Sequence, residues 1–448
     1  MVVVSYRDIS RFGSLALLLF GGWAFAQTSQ PAQTGPATET KEACESCEPK
    51  CTDHLTGDWF GARTKLEDAG IDINLTFVNI YQVNVHGGAD TKDAQRFDGL
   101  YDLDVTLDLE KLFKLKGGQV YALAEGGYGN GLEGAGKIGD LFGVNYNVIG
   151  YRSVDLIQLW YQQNLFDDKL QLRLGKIDMT GTFECRGCPV SFDGNRFAND
   201  EYAQFINGAL VNNPTIPFPD EGLGAIAHFS PLEWFYTSVG VADAQADRRE
   251  TGFNTTFHDE AYFLGMYEFG FVPHIPTAKG PLVGAYRFGL WYDPQPRERY
   301  YDNPAGDRPA RFHRDNLGFY TSFDQTVYRE NSESDQGLGL FFRYGFTPGD
   351  TNIIEHFWSI GGQYQGLIPK RDNDVLGFGV AQGLLSNELG YYDDTTPGRE
   401  TVMELYYNIQ ITEWLHLTPD IQYIFNPGGI EHAGHDVTVM GLRLWLSL

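Results

Sequence analysis

The chain has 448 residues, with 59 acidic against 33 basic side chains, a net charge of −26, 14% aromatics and 53 glycines. An acidic balance of this size excludes a nucleic-acid partner, which needs a basic footprint, and suits solvated loops or a lumen that tolerates cations. Abundant aromatics and glycines suit a β protein whose strands show only half their residues to an apolar medium.

The chain opens on MVVVSYRDISRFGSLALLLFGGWAFAQ, with Arg7 and Arg11, an apolar run from Leu15 to Phe20, and then Ala24-Phe25-Ala26. This is the charged, apolar, small-x-small order of a secretory signal, so residues 1–26 are expected to be removed rather than kept as an anchor. Losing Arg7, Arg11 and Asp8 leaves 31 basic and 58 acidic residues, a net of −27. No later stretch approaches the about 18 uninterrupted apolar residues of a helical span.

Residues 27–54 read as a flexible leader, polar and rich in Pro, Thr and Gln, ending in a cluster of Cys44, Cys47 and Cys51. In an exported chain these predict a disulfide or cross-linking of chains, and thereby a periplasmic partner. Cys185 and Cys188 predict a loop disulfide, and the odd total of five leaves one thiol over or one intermolecular bond. WFGARTKLEDAG predicts a short helix ending at Gly70.

From Ile71 the period changes to two. In IDINLTFVNIYQVNV, Ile71, Ile73, Leu75, Phe77, Tyr81, Val83 and Val85 share a face; Asp72, Asn74, Thr76, Gln82 and Asn84 share the other, which Val78 and Ile80 interrupt. GLYDLDVTLDLE repeats the pattern, with Asp102 and Asp104 on its polar face. Further alternating segments fall near 119–127, 154–163, 170–176, 222–229, 234–242, 262–271, 284–292, 317–328, 336–346, 356–364, 374–382, 402–410, 415–424 and 437–448, sixteen in all. Several run to 10–15 residues, beyond the usual soluble strand of about 5–6. Tyr and Trp cluster toward strand ends, as in Trp160-Tyr161, Trp291-Tyr292 and Tyr406-Tyr407, where an aromatic girdle would sit. The last segment puts Leu442, Leu444, Leu446 and Leu448 opposite Arg443. An arginine facing lipid at mid-membrane costs about 2–4 kcal/mol, so the leucines face lipid and Arg443 the lumen. The reading is an all-β chain: a transmembrane antiparallel β-barrel of about 16 strands over residues 55–448, with a short N-terminal helix and a lumen-folding loop.

Residues 55–448 resemble the carbohydrate-selective porins of Gram-negative outer membranes, the OprB type. The resemblance rests on LTGDWFGARTKLEDAGIDI, FANDEYAQFINGALVNNPTIPFPDEGLGA, DNDVLGFGVAQG, WLHLTPDIQYIFNPGG and VMGLRLWLSL. It implies a sixteen-stranded barrel with periplasmic turns, longer outer loops and passive diffusion of small sugars. It also implies placement among outer-membrane lipid and lipopolysaccharide by the barrel-assembly machinery. The family usually ends on Phe where this chain ends on Leu448, and the cysteines lie outside its pattern.

A sugar pore makes no covalent bond, so its selectivity is diameter, lining polarity and field. The irregular segment Met179–Glu221 is the candidate constriction; FANDEYAQFINGALV within it reads as a short helix that would bring Arg196, Asp200, Glu201 and Asn207 to the wall. The alternative is an outer loop over the barrel mouth. The pore-lining candidates are Asp102, Asp104, Trp160 as a stacking ring, Arg173, Arg196, Arg287, Arg343, Glu404 and Asp420. Each either contacts sugar or only hydrates a wide lumen. No compact histidine spacing predicts a metal, no cofactor is expected, and enzyme chemistry is not. Two further readings share the scaffold: a general or cation-preferring diffusion porin, and a barrel anchor whose leader binds a periplasmic partner.

Overall fold

The computed structural model describes residues 54–183, 195–258, 260–300, 311–389, 396–430 and 435–448. The expected signal, the Cys44–Cys51 cluster and the Cys185–Cys188 pair lie outside them.

Sixteen strands form the barrel. They are β1 (Ile71–His86), β2 (Gln95–Asp108), β3 (Gly118–Tyr128), β4 (Arg152–Leu165), β5 (Leu170–Ile177), β6 (Gly222–Leu232), β7 (Phe235–Asp243) and β8 (Phe263–Phe271), then β9 (Leu282–Asp293), β10 (Asn316–Arg329), β11 (Gly337–Phe346), β12 (Ile354–Gln365), β13 (Val375–Leu385), β14 (Arg399–Thr412), β15 (Leu415–Phe425) and β16 (Val437–Ser447). Each pairs antiparallel with its sequence neighbours, and β1 pairs with β16 in a register that sets Phe77 opposite Leu446 and Val83 opposite Met440. That pairing closes the cylinder, so no unsatisfied edge faces hydrocarbon. His274–Ile275 adds a two-residue ladder to the start of β9.

Exposure separates the faces by parity. On β16, Met440 is 49% and Leu442 42% exposed, whereas Arg443 is 0%. The same parity corrects the girdle expectation. Tyr161 and Tyr292 point outward, but their neighbours Trp160 and Trp291 are 3% and 1% exposed and face the lumen. Adjacent residues on a strand cannot share a face.

Short connections such as 166–169 and 413–414 leave one end of the barrel, and the longer 129–151 and 178–221 leave the other. At the short-turn end the predicted helix is present as α1 (Ala62–Ala69), stopped by Gly70 in the left-handed region at φ 96°. Arg63 stacks on Trp59 (4.2 Å) and donates to the Leu448 main-chain oxygen (2.9 Å). The Leu55 N–H donates to Ser447 O (2.9 Å). The N-terminal segment thus clasps the seam strand.

Candidate functional site: a lumen filled by two loops

The segment after β5 folds inward. Residues 195–213 are almost wholly buried, held by the strand residues whose parity points into the lumen. Arg343 on β11 donates to Leu210 O (2.6 Å), Val211 O (3.1 Å) and Ser359 Oγ (3.0 Å). Arg443 on β16 donates to Glu201 O (2.6 Å) and Gln204 O (2.8 Å). Glu404 on β14 accepts the consecutive N–H groups of Ile206 (2.7 Å) and Asn207 (2.9 Å). The Tyr202 hydroxyl donates to Asp102 on β2. Charged side chains therefore satisfy loop backbone that would otherwise be buried without partners.

The loop is less helical than FANDEYAQFINGALV suggests. Only Gly208–Val211 makes a helical turn. Upstream, Asn195 Oδ1 accepts the Phe197 N–H (3.2 Å), and Asp200 Oδ1 accepts those of Tyr202 (3.0 Å) and Ala203 (3.1 Å). Side-chain acceptors of this kind compete with the helical ladder. Asn207 then caps the helical turn by accepting the Ala209 N–H (3.0 Å).

Apolar groups seat the same loop. Val78 and Ile80, the pair that broke the polar face of β1, pack with Leu100, Ile149, Tyr202 and Ile206. Phe205 sits edge-on to Phe341 and Tyr406, at 5.7 and 5.0 Å. Wall glycines make room: a Cβ on Gly379 would lie 2.8 Å from Leu210 Cδ2 and 2.9 Å from Phe205 Cζ, and one on Gly383 2.5 Å from Phe142 Cζ. Gly379 and Gly383 of DNDVLGFGVAQG mark where loop side chains press on the wall, whereas Gly377 makes room for Tyr406 of β14.

A second inward loop, 129–151, escaped sequence reasoning. Its Val144 carbonyl accepts from Gln82 (2.7 Å) and Gln422 (2.8 Å), and its Tyr146 N–H donates to Ile206 O (2.9 Å). The carboxylate of Glu133 accepts the N–H groups of Val144 and Asn145. Burial, reinforced by Asp140, pushes the Glu133 carboxyl up to about 8, and burial raises Asp140 to about 6. No alternating pattern marks such a loop; the only signal was its length, twenty-three residues between strands.

The remaining candidates divide into separate groups. Trp160 lies between Tyr121, stacked at 4.9 Å, and the Arg173 guanidinium at 4.1 Å. Arg173 also donates to Gln162 Oε1 (3.0 Å). Trp160 is thus packed on by both neighbours. Arg287 pairs with Asp324 at 2.8 Å, and Arg196 lies beside that aspartate. Asp104 accepts from Asn74 (3.3 Å), and Asp420 from Gln422 (3.1 Å). Two cations outside the candidate set also face the lumen: Arg248, from the connection between β7 and β8, paired with Glu125 and 3.6 Å from Glu221, and Arg443 on β16.

A closed antiparallel barrel with an apolar outer face and a charged lumen narrowed by loops defines an outer-membrane porin. The family model described as "Carbohydrate-selective porin, OprB family" matches residues 92–448, and the chain belongs to that family. It is 26% identical over 419 residues to Porin B of Pseudomonas aeruginosa, covering 87% of this chain and 90% of that one. It is 24% identical over 422 residues to the putative porin QuiX of Acinetobacter baylyi, covering 88% and 92%. The solved high-pH structure of Pseudomonas putida OprB superposes with a TM-score of 0.76 at 23% identity, covering 89% of this chain and 99% of that one. The chain is a porin of the outer membrane that passes carbohydrates selectively, and its relatives are channels rather than enzymes.

Proposed function

We propose that sugars cross this barrel by passive diffusion through a constriction built from residues 195–221 and 129–151 against the lumen wall. The strand residues expected to line the pore then have two jobs. Arg343, Glu404 and Asp102 hold the loop in place, while Asp104, Arg173 and Asp420 add polar surface where hydroxyl groups pass. The observation that carries this reading is the direct grip of Arg343, Arg443 and Glu404 on the loop backbone. Purified protein in a planar bilayer should conduct, and millimolar glucose should reduce the current. A current indifferent to every sugar tested would remove the constriction from this role.

A cation-preferring diffusion porin is the second reading, supported by lumen carboxylates such as Asp98 and Glu125, each with one oxygen unpartnered by protein. The reversal potential in a salt gradient separates the two. Cleavage after Ala26, a leader over 27–54 that meets a periplasmic partner through Cys44, Cys47 and Cys51, and a Cys185–Cys188 disulfide belong to the same proposal. So do assembly by the barrel-assembly machinery and contact with lipopolysaccharide. Intact mass with and without reductant tests the cleavage site and the disulfide together.

A further inference from the structure

The lumen arginines are engaged, while several lumen carboxylates keep an oxygen without a hydrogen-bond donor among the described residues. Glu201, at the inner turn of the loop, is 1% exposed, and neither of its carboxylate oxygens has a protein partner among the described residues. It lies within electrostatic reach of Asp200, Asp102 and Asp178. One oxygen of Asp102 accepts from Tyr202 and the other is unpartnered; Asp178 binds Thr180 through one oxygen and leaves the other unpartnered. Glu221, whose Oε2 lies 3.6 Å from Arg248 Nε, and Glu125, with an unpartnered Oε2, complete the group. The Tyr146 side chain, from the other inward loop, lies within reach of Glu201, Asp178 and Glu221.

Three cations border this group. Arg248 pairs with Glu125, Arg173 is fixed on Trp160 and Gln162, and Lys176 donates to Leu156 O (2.9 Å) and Glu250 O (2.6 Å). Asp200 beside Glu201 and Arg152 beside Glu125 add one charge of each sign, and carboxylates still outnumber cations, so the space is acidic. Burying a carboxylate without a donor is costly, and such groups are ordinarily satisfied. What satisfies Glu201 must carry N–H or O–H donors and no negative charge. Among the described residues no three His, Cys, Asp or Glu side chains are placed to hold a metal ion together.

We propose that the space bounded by Glu201, Asp178, Asp102 and Glu221 is a selectivity station that takes aminated sugars, as hexosaminium ions, in preference to neutral hexoses and against uronates. The sugar's ammonium group meets the carboxylate oxygens that no protein donor reaches, its hydroxyls take the remaining acceptors, and Tyr146 borders the ring. A uronate brings a further carboxylate into the same space and is repelled. This inference rests on the carbohydrate reading above and deepens it.

The test is current block by the full-length purified protein in planar bilayers at fixed pH and ionic strength. Glucosamine hydrochloride, glucose and glucuronate are compared by their half-blocking concentrations. Glucosamine should block at a concentration about tenfold below glucose, the size of one close ionic contact partly screened, and glucuronate should block least. Glu201→Gln should bring glucosamine to the level of glucose, and Glu201→Asp should restore most of the difference. Asp178→Asn, just past the end of β5 and outside the inward fold 195–213, should narrow it independently, with the heat-induced mobility shift on gels reporting a folded barrel in each variant. Equal block by glucosamine and glucose in the unmodified protein overturns the inference, as does an undiminished glucosamine advantage in folded Glu201→Gln. If no sugar blocks at all, the carbohydrate constriction fails; if glucose blocks and glucosamine gains nothing, only the selectivity station does.

Discussion

Replacing Arg343 by methionine tests whether the strand arginines hold the constriction. The guanidinium is fully buried and directs two good bonds at the loop, 2.6 Å to Leu210 O and 3.1 Å to Val211 O; its contact with Ala209 O, at 3.4 Å, is marginal. Hydrogen bonds to a charged group are worth about 1.5–3 kcal/mol each, so their loss weakens loop attachment by about 3–6 kcal/mol. Methionine keeps an apolar stem beside Phe341, which limits the added cavity cost. Arg443 and Glu404 still grip the loop, yet even 3 kcal/mol changes the ratio of docked to released loop by about a hundredfold. Single-channel recording should show higher and noisier conductance with a weaker block by glucose. The barrel itself should persist, because none of its ladder bonds is touched, and the heat-modifiability assay checks that. An Arg343→Met channel with unchanged conductance, noise and sugar block would refute the anchoring argument.

Other perturbations address other parts of the assembly. Ile80→Asp puts a charge into the apolar seat of Tyr202 and Ile206, a cost of several kcal/mol unless the loop lifts to let water in; faster hydrogen exchange at Tyr202 and Ile206 would show the release. Arg63→Ala removes the donor to the Leu448 oxygen, worth about 1.5–3 kcal/mol, and should lower the temperature at which the barrel loses its folded gel mobility while leaving conductance unchanged. The pH response of loop 129–151 follows from Glu133, whose carboxyl is raised from 4.5 to about 8. The folded state then holds the proton more tightly than the unfolded one, so attachment is strongest below pH 4.5 and weakens as pH rises towards about 8. Asp140, raised to about 6, acts in the same direction, and the protection factors of the Val144 and Asn145 amides, corrected for base-catalysed intrinsic exchange, should fall between pH 5 and 9.

The barrel was legible because its physics is local. Hydrocarbon on one side and water on the other impose a period of two, and all sixteen alternating segments coincide with strands, although β2 begins at Gln95, before the alternation at Gly99 becomes regular. The lumen was less legible because a polar side chain of the right parity has two possible partners. Arg343 and Glu404 bind loop backbone, while Trp160 meets Tyr121 and Arg173 rather than an open channel. Parity gives direction; it does not say what is met there. The informative signals were the departures. Val78 and Ile80 interrupt a polar face because the loop packs on them, and Gly379 and Gly383 interrupt a strand because Phe205 and Phe142 do.

The division of labour among the charges follows from the same packing. A loop folded into a lumen exposes more carbonyl oxygens than its own turns can satisfy, since each residue has two acceptor lone pairs and one N–H. Arginine, with five donors, answers that excess, and Arg343 and Arg443 do so from opposite ends of one loop segment. Arg287 and Arg248 are held by Asp324 and Glu125. The positive charge of the lumen is thereby committed to structure, and oxygens without a hydrogen-bond donor remain on carboxylates such as Glu201, Asp178 and Asp102. A porin that anchors its constriction with arginine presents an acidic passage to the permeant, and releasing the loop by Arg343→Met should change the channel's ion preference together with its sugar block.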